Sequence, residues 1–162
     1  MRTINVDRDY LLSTLADLIR INSINPSLVP GGAGEAAIAQ YVADALRKIG
    51  LSVTAHETQP GRVSVVGTLN GSGGGKSLML NAHVDTVGVD GMPDPFSAEI
   101  RDGKMYGRGS YDMKGSLAAC LAAAKAVVDS KISLRGDLLI AAVADEEFAS
   151  IGTADVIKHH KV

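Results

Sequence analysis

The run from Asp137 to Asp145, DLLIAAVAD, limits the fold more than any other feature: an unbroken apolar stretch is bracketed by acids. A run this short reads as a strand, and without polar alternation it must be buried on both faces. SLMLNAH, ending at His83, is almost as apolar and is read the same way. Two such strands need layers of structure above and below them.

Helical periodicity supplies those layers. Leu11, Leu12, Leu15, Leu18 and Ile19 recur at helical spacing behind Asp7, an N-cap candidate, which predicts a helix over about 7–21, ended by Asn25-Pro26. After the flexible-looking PGGAGE, a second helix is predicted over 35–49, with Gly50 at its C-cap. LSVTAHE and RVSVVGTL read as strands, and NGSGGGK as the turn before SLMLNAH. SAEIRDGKMYGRG alternates around Asp102-Gly103, a hairpin signal. An Ala/Leu-rich helix is predicted from Lys114 to Val128, and TADVIKHHK starts a further one. Strands alternating with helices imply an α/β fold, a three-layer sandwich with a mostly parallel central sheet flanked by helices.

Charge narrows the partners. Eighteen acidic and sixteen basic residues give a formal charge of -2, and no Lys/Arg block is present, so neither a nucleic-acid nor a polybasic membrane surface is expected. The N-terminal stretch carries acids throughout, which suits neither a signal nor a transit peptide, and no apolar run approaches the ~20 residues of a membrane span. A cytoplasmic protein acting on a small molecule is the expectation. Cys120, the one cysteine, lies in the apolar run LAACLAAAKAVV and is read as a core residue.

Three polar clusters follow apolar strands or a tight hairpin: His83 and Asp85 after LMLNA, Asp112 after GRGSY, and Glu146 and Glu147 after LLIAAVAD. In an open α/β sheet, ligands bind outside the carboxyl ends of the strands, where such clusters converge. One imidazole with several carboxylates suits zinc or cobalt better than magnesium. Asp85, two residues past His83, is placed to accept the imidazole's second N–H. Glu146 and Glu147 end a strand, so one can hold a metal while the other faces a water as base. Each residue alone also has an ordinary reading as a cap, a turn residue or solvated surface. Their joint occurrence favours a site.

LNAHVDTV, DPFSAEIRDGKMYGRGSYDMKGSLAA and ADEEFASIGT, in that order over about residues 78–154, resemble the successive motifs of the acetylornithine deacetylase, succinyl-diaminopimelate desuccinylase, aminoacylase and carboxypeptidase G family of dinuclear zinc hydrolases. The resemblance implies that His83 binds a first metal, Asp112 bridges two, and Glu147 binds the second. It makes Asp85 the residue that orients His83, and Glu146 the general base. Two divalent ions, Zn2+ or else Co2+, a linear N-acyl amino acid or short peptide as substrate, and a homodimeric full-length form are implied with it.

The same resemblance implies further parts: an acid after the next strand, a distant histidine, and a smaller dimerisation and lid domain. Residues 1–162 are therefore expected to be the N-terminal portion of the catalytic metal-binding domain, with those parts absent. Each metal would keep two protein ligands here, against three in a catalytic zinc site, so weak metal binding and little hydrolysis are expected of the chain alone. His56, His159 and His160 are read as bland surface residues, not substitute ligands. The alternative is a non-catalytic module that binds a metal or a partner. Nucleotide binding is disfavoured: GSGGGKS lacks P-loop spacing and precedes a strand, and Asp112 occupies the third glycine position of a dinucleotide fingerprint.

Overall fold

The computed structural model describes residues 4–162. Helix α1 (Arg8–Arg20) starts where Asp7 accepts the Tyr10 N–H at 3.0 Å, satisfying one of the free donors of the first turn. Helix α2 (Ala36–Ile49) ends at Gly50, whose φ of 103 is left-handed, and it buries Ile38, Val42 and Leu46 along one stripe.

The central sheet is built from β1 (Ser52–Gln59), β2 (Arg62–Leu69), β3 (Leu78–His83) and β6 (Leu138–Val143), in the order β1-β2-β6-β3. Between β3 and β6 lie the hairpin β4 (Glu99–Arg101) and β5 (Lys104–Tyr106), and helix α3 (Lys114–Asp129). Helix α4 (Ile151–His159) follows β6. The hairpin turns at Asp102 (φ 50) and Gly103 (φ 74), the paired positive φ angles that match the twist of two strands joined by two residues.

The α/β class with a helix-flanked sheet is as expected, but the strand directions are mixed. β3 runs parallel to β6, whereas β2 is antiparallel to both β1 and β6. A tight connection at Pro60-Gly61 can join only antiparallel strands, and it reverses the chain before β2 enters the sheet.

Burial follows position in the sheet. All six residues of β6, an interior strand, are buried. The reading of β3 as buried on both faces needs correcting: it is an edge strand, and Leu78 is 56% exposed. Alternate residues feed two cores. Val65, Ala82, Ile140 and Ala142 pack with Leu46, Leu117 and Leu121 of the α2–α3 layer. Val66, Leu139, Ala141 and Val143 pack with Val156 of α4 on the other face. Cys120 is half-buried against the first core, and burial pushes its thiol pKa up. No helix among the described residues is long and apolar enough to cross a membrane.

Candidate metal centre

His83 ends β3 beside the end of β6, the two parallel strands whose carboxyl ends open on the same side. Its ring is buried at 4% exposure. Nε2 faces outward, 3.0 Å from Asp112 Oδ1 and 3.6 Å from Glu146 Oε2. One ligand-type atom from each of His83, Asp112 and Glu147 lies within 4.8 Å of the others. Residues from three separate stretches of chain thus converge.

Asp112 is carried by a tight loop. Gly109 takes φ 78, and an added Cβ there would meet Lys114 Cδ and Thr86 Cγ2 at 3.0 Å, so the turn needs glycine for both its backbone and its space. The Asp112–Met113 peptide is cis. Lys114, next along, is fully buried and donates from Nζ to the Ile21 carbonyl at 2.8 Å, tying the start of α3 to the end of α1. Burial alone pulls its ammonium pKa down to about 8.

Two local readings change. Glu146 and Glu147 do not end a strand: β6 stops at Val143, and Asp145 turns left-handed at φ 65, putting both glutamates on a turn. Asp85 holds that turn. Its carboxylate accepts the main-chain N–H of Glu146 at 3.0 Å and of Glu147 at 3.2 Å. The His83 Nδ1 hydrogen bond goes instead to the Asp85 main-chain carbonyl at 3.0 Å, with the carboxylate 3.6 Å away. The main chain can serve because the strand has ended and the carbonyl folds back toward the ring.

Beneath lies a polar network that no sequence pattern signalled. Residues 23–25 run beside Thr86, which places Asn25 under the site. Asn25 Nδ2 donates to Asp85 Oδ2 at 2.7 Å and to Asp145 Oδ1 at 3.0 Å. Arg62 donates twice to Glu35, at 2.7 and 2.8 Å, and to Asp145 at 2.6 Å. Glu35 is fully buried, although PGGAGE reads as a flexible loop. Burial works against the Arg62 charge, but hydrogen bonds and the charges of Glu35 and Asp145 more than offset it and raise its pKa. The only local signal available was an arginine opening a valine-rich strand.

The donor set fits a divalent cation. One imidazole nitrogen and two carboxylates are ligands that zinc accepts. Burial, then the neighbouring charges of Asp112, Asp85 and Glu146, push the Glu147 pKa up against the opposing pull of His83. Carboxylates crowded this way are eased by a cation among them. His56, His159 and His160 lie elsewhere, on β1 and at the end of α4.

Comparison with known proteins gives a consistent picture. Residues 79–162 match peptidase family M20/M25/M40. The chain is 34% identical over 156 residues to N-formyl-4-amino-5-aminomethyl-2-methylpyrimidine deformylase of Halalkalibacterium halodurans, a match covering 93% of this chain and 36% of that protein. It is 33% identical over 153 residues to succinyl-diaminopimelate desuccinylase of Xanthomonas campestris pv. campestris, covering 92% and 37%. The crystal structure of an M20 family metallo-carboxypeptidase from Sulfolobus solfataricus superimposes with a TM-score of 0.79 at 27% identity, covering 94% of this chain and 35% of that one. The chain spans roughly a third of the length of these relatives.

Proposed function

The chain belongs to peptidase family M20/M25/M40, and from that premise we propose that it supplies the metal-binding and proton-transferring residues of a hydrolase acting on linear amides. One observation carries the reading: the donor atoms of His83, Asp112 and Glu147 lie within 4.8 Å of one another while Glu146 Oε2 stands 3.6 Å from His83 Nε2. In this reading His83, Asp112 and Glu147 would hold the zinc ions, with Asp112 placed between the other two. Bound divalent ions supply a water made acidic enough to ionise near neutral pH and a polarised amide carbonyl.

The remaining work falls to side chains of this chain. Glu146 is about half exposed and so open to both water and substrate. Its carboxylate takes the proton of the attacking water and returns it to the nitrogen of the departing amine. Asp85 fixes where that carboxylate stands through the main chain of Glu146 and Glu147. The buried Asn25–Arg62–Glu35–Asp145 network anchors Asp85 in turn.

Relatives named as a deformylase and a desuccinylase favour N-acylated small molecules as the substrate class, with short peptides next. The family resemblance supports a homodimer for the full-length protein.

The test pairs activity with metal binding. The protein carrying this chain, restored with Zn2+ or Co2+, should hydrolyse N-formyl, N-acetyl or N-succinyl amines, and a chelator should stop it. Zn2+ binding at the His83 centre, measured by titration calorimetry, should be lost in His83→Ala and kept in Glu146→Gln. Undiminished hydrolysis in Glu146→Gln would remove Glu146 from its role.

A further inference from the structure

A second group of metal-ligating side chains meets at the far side of the sheet. His56 stands on β1, the edge strand opposite β3, with β2 and β6 between the two. Asp155 and His159 sit four residues apart on α4, which packs over β1, β2 and β6. That spacing puts both on one face of the helix. His56 Nδ1 is 3.4 Å from Asp155 Oδ2, and His159 Nδ1 is 3.7 Å from the same oxygen. His160 follows as the C-cap of α4 and brings its Nε2 to 2.8 Å from His56 Nε2.

A simple ion pair does not account for this arrangement. One carboxylate can balance one imidazolium, yet two rings face it and a third packs on His56, with centroids of His159 and His160 at 5.1 and 5.0 Å from that of His56. His56 is drawn in to 10% side-chain exposure, whereas Asp155 and His159 stay open to solvent at 26% and 55%. The group is therefore partly buried at its base and reachable from outside.

The spacings suit coordination. Two ligand atoms about 2.0–2.1 Å from one tetrahedral zinc ion lie about 3.4 Å apart. The two distances to Asp155 Oδ2 depart from this by a few tenths of an ångström or less, and one ligand-type atom from each of His56, Asp155 and His159 lies within 4.8 Å of the other two. Histidine ligands use their second nitrogen to hydrogen-bond a partner that fixes the tautomer. His56 has that partner in His160, which leaves Nδ1 to face Asp155. His159 Nδ1 is 3.0 Å from the Asp155 main-chain carbonyl, and metal binding exchanges that hydrogen bond for coordination. Two imidazoles with one carboxylate select zinc, nickel or copper over magnesium and calcium.

We propose that His56, Asp155 and His159 form a second divalent transition-metal site, separate from the His83–Asp112–Glu147 centre, with His160 orienting His56. Nothing in it depends on the hydrolase reading.

All four histidines of the chain belong to one centre or the other, so their ring signals report on each separately. The chelator-stripped chain would be titrated with Zn2+ and followed by two-dimensional NMR of the imidazole nitrogens. Expected are saturable shifts of His56 and His159 at micromolar Zn2+, retained in His83→Ala and absent with Mg2+. His159→Ala and Asp155→Asn, both at solvent-open positions, should abolish the His56 shift while circular dichroism stays that of the parent. His160→Ala should weaken binding about 10–100-fold, the usual effect of losing a group that orients a ligand. Zn2+ that moves His83 alone, or a His56 response unaltered in His159→Ala, would overturn the site.

Discussion

The carboxylate of Asp85 accepts the main-chain N–H of Glu146 at 3.0 Å, across 61 residues of sequence. Through this bond the end of β3 sets the position of the turn that follows β6. Asp85 is fully buried, and its second oxygen is already taken by Glu147 N–H and Asn25. Its side chain therefore acts only as an acceptor.

Asp85→Asn should disturb this directly. An amide offers one acceptor oxygen and turns an NH2 toward groups that are themselves donors. The expected result is a loss of about 1–3 kcal/mol in urea unfolding and a fall of about 10–100-fold in Zn2+ affinity at the His83 centre. Unchanged Zn2+ affinity by calorimetry would show that the turn holds without Asp85.

Glu146→Gln should separate chemistry from binding. The side chain keeps its shape and loses its basicity, and it is not among the residues proposed to hold metal. Hydrolysis should fall about 10²–10⁴-fold with Zn2+ affinity retained. Equal losses in both would assign Glu146 to the metal instead.

Arg62→Leu should be among the most destabilising single changes. It strips a guanidinium from two buried carboxylates, Glu35 at 0% and Asp145 at 2% exposure, and leaves their charges unpaired. Breaking such a pair from one side costs about 3–5 kcal/mol. The midpoint of urea unfolding measures it, and adding Glu35→Gln to the variant should recover part of the loss.

Tyr41 predicts an alkaline limb. Burial first, then the Asp17 carboxylate that accepts its hydroxyl at 3.2 Å, push its pKa up to about 12 from the ordinary 10.0. The neutral phenol is favoured in the folded state, so its stabilising share is complete below pH 10.0 and is lost as pH rises through about 12. Absorbance at the tyrosinate band should carry a late component that rises near pH 12. Tyr41→Phe should remove late amplitude only.

Much of the architecture follows from local pattern. The Asp7 cap, the apolar stripe of α2 ending at Gly50, the Asp102-Gly103 turn and the all-apolar β6 each depend on neighbours within a few residues, where periodicity and turn chemistry act. His83, Asp112, Glu146 and Glu147 were legible as candidates for a similar reason, since each lies at or just past the end of a strand or tight loop that can be read from the chain. That β6 inserts between β2 and β3 was not legible, because pairing depends on the whole sheet's burial and not on any one strand.

Sequence by itself determined the elements, the two-sided core and which residues are candidates for the site. Tertiary structure alone decided their partners. Glu35 and Arg62, 27 residues apart, read separately as loop and strand residues and become a buried pair. His56 and His160, 104 apart, read as surface and become neighbours. The physical reason is the same in each case: a polar side chain takes its meaning from the groups that replace water around it, and those are supplied by distant segments once the sheet has closed.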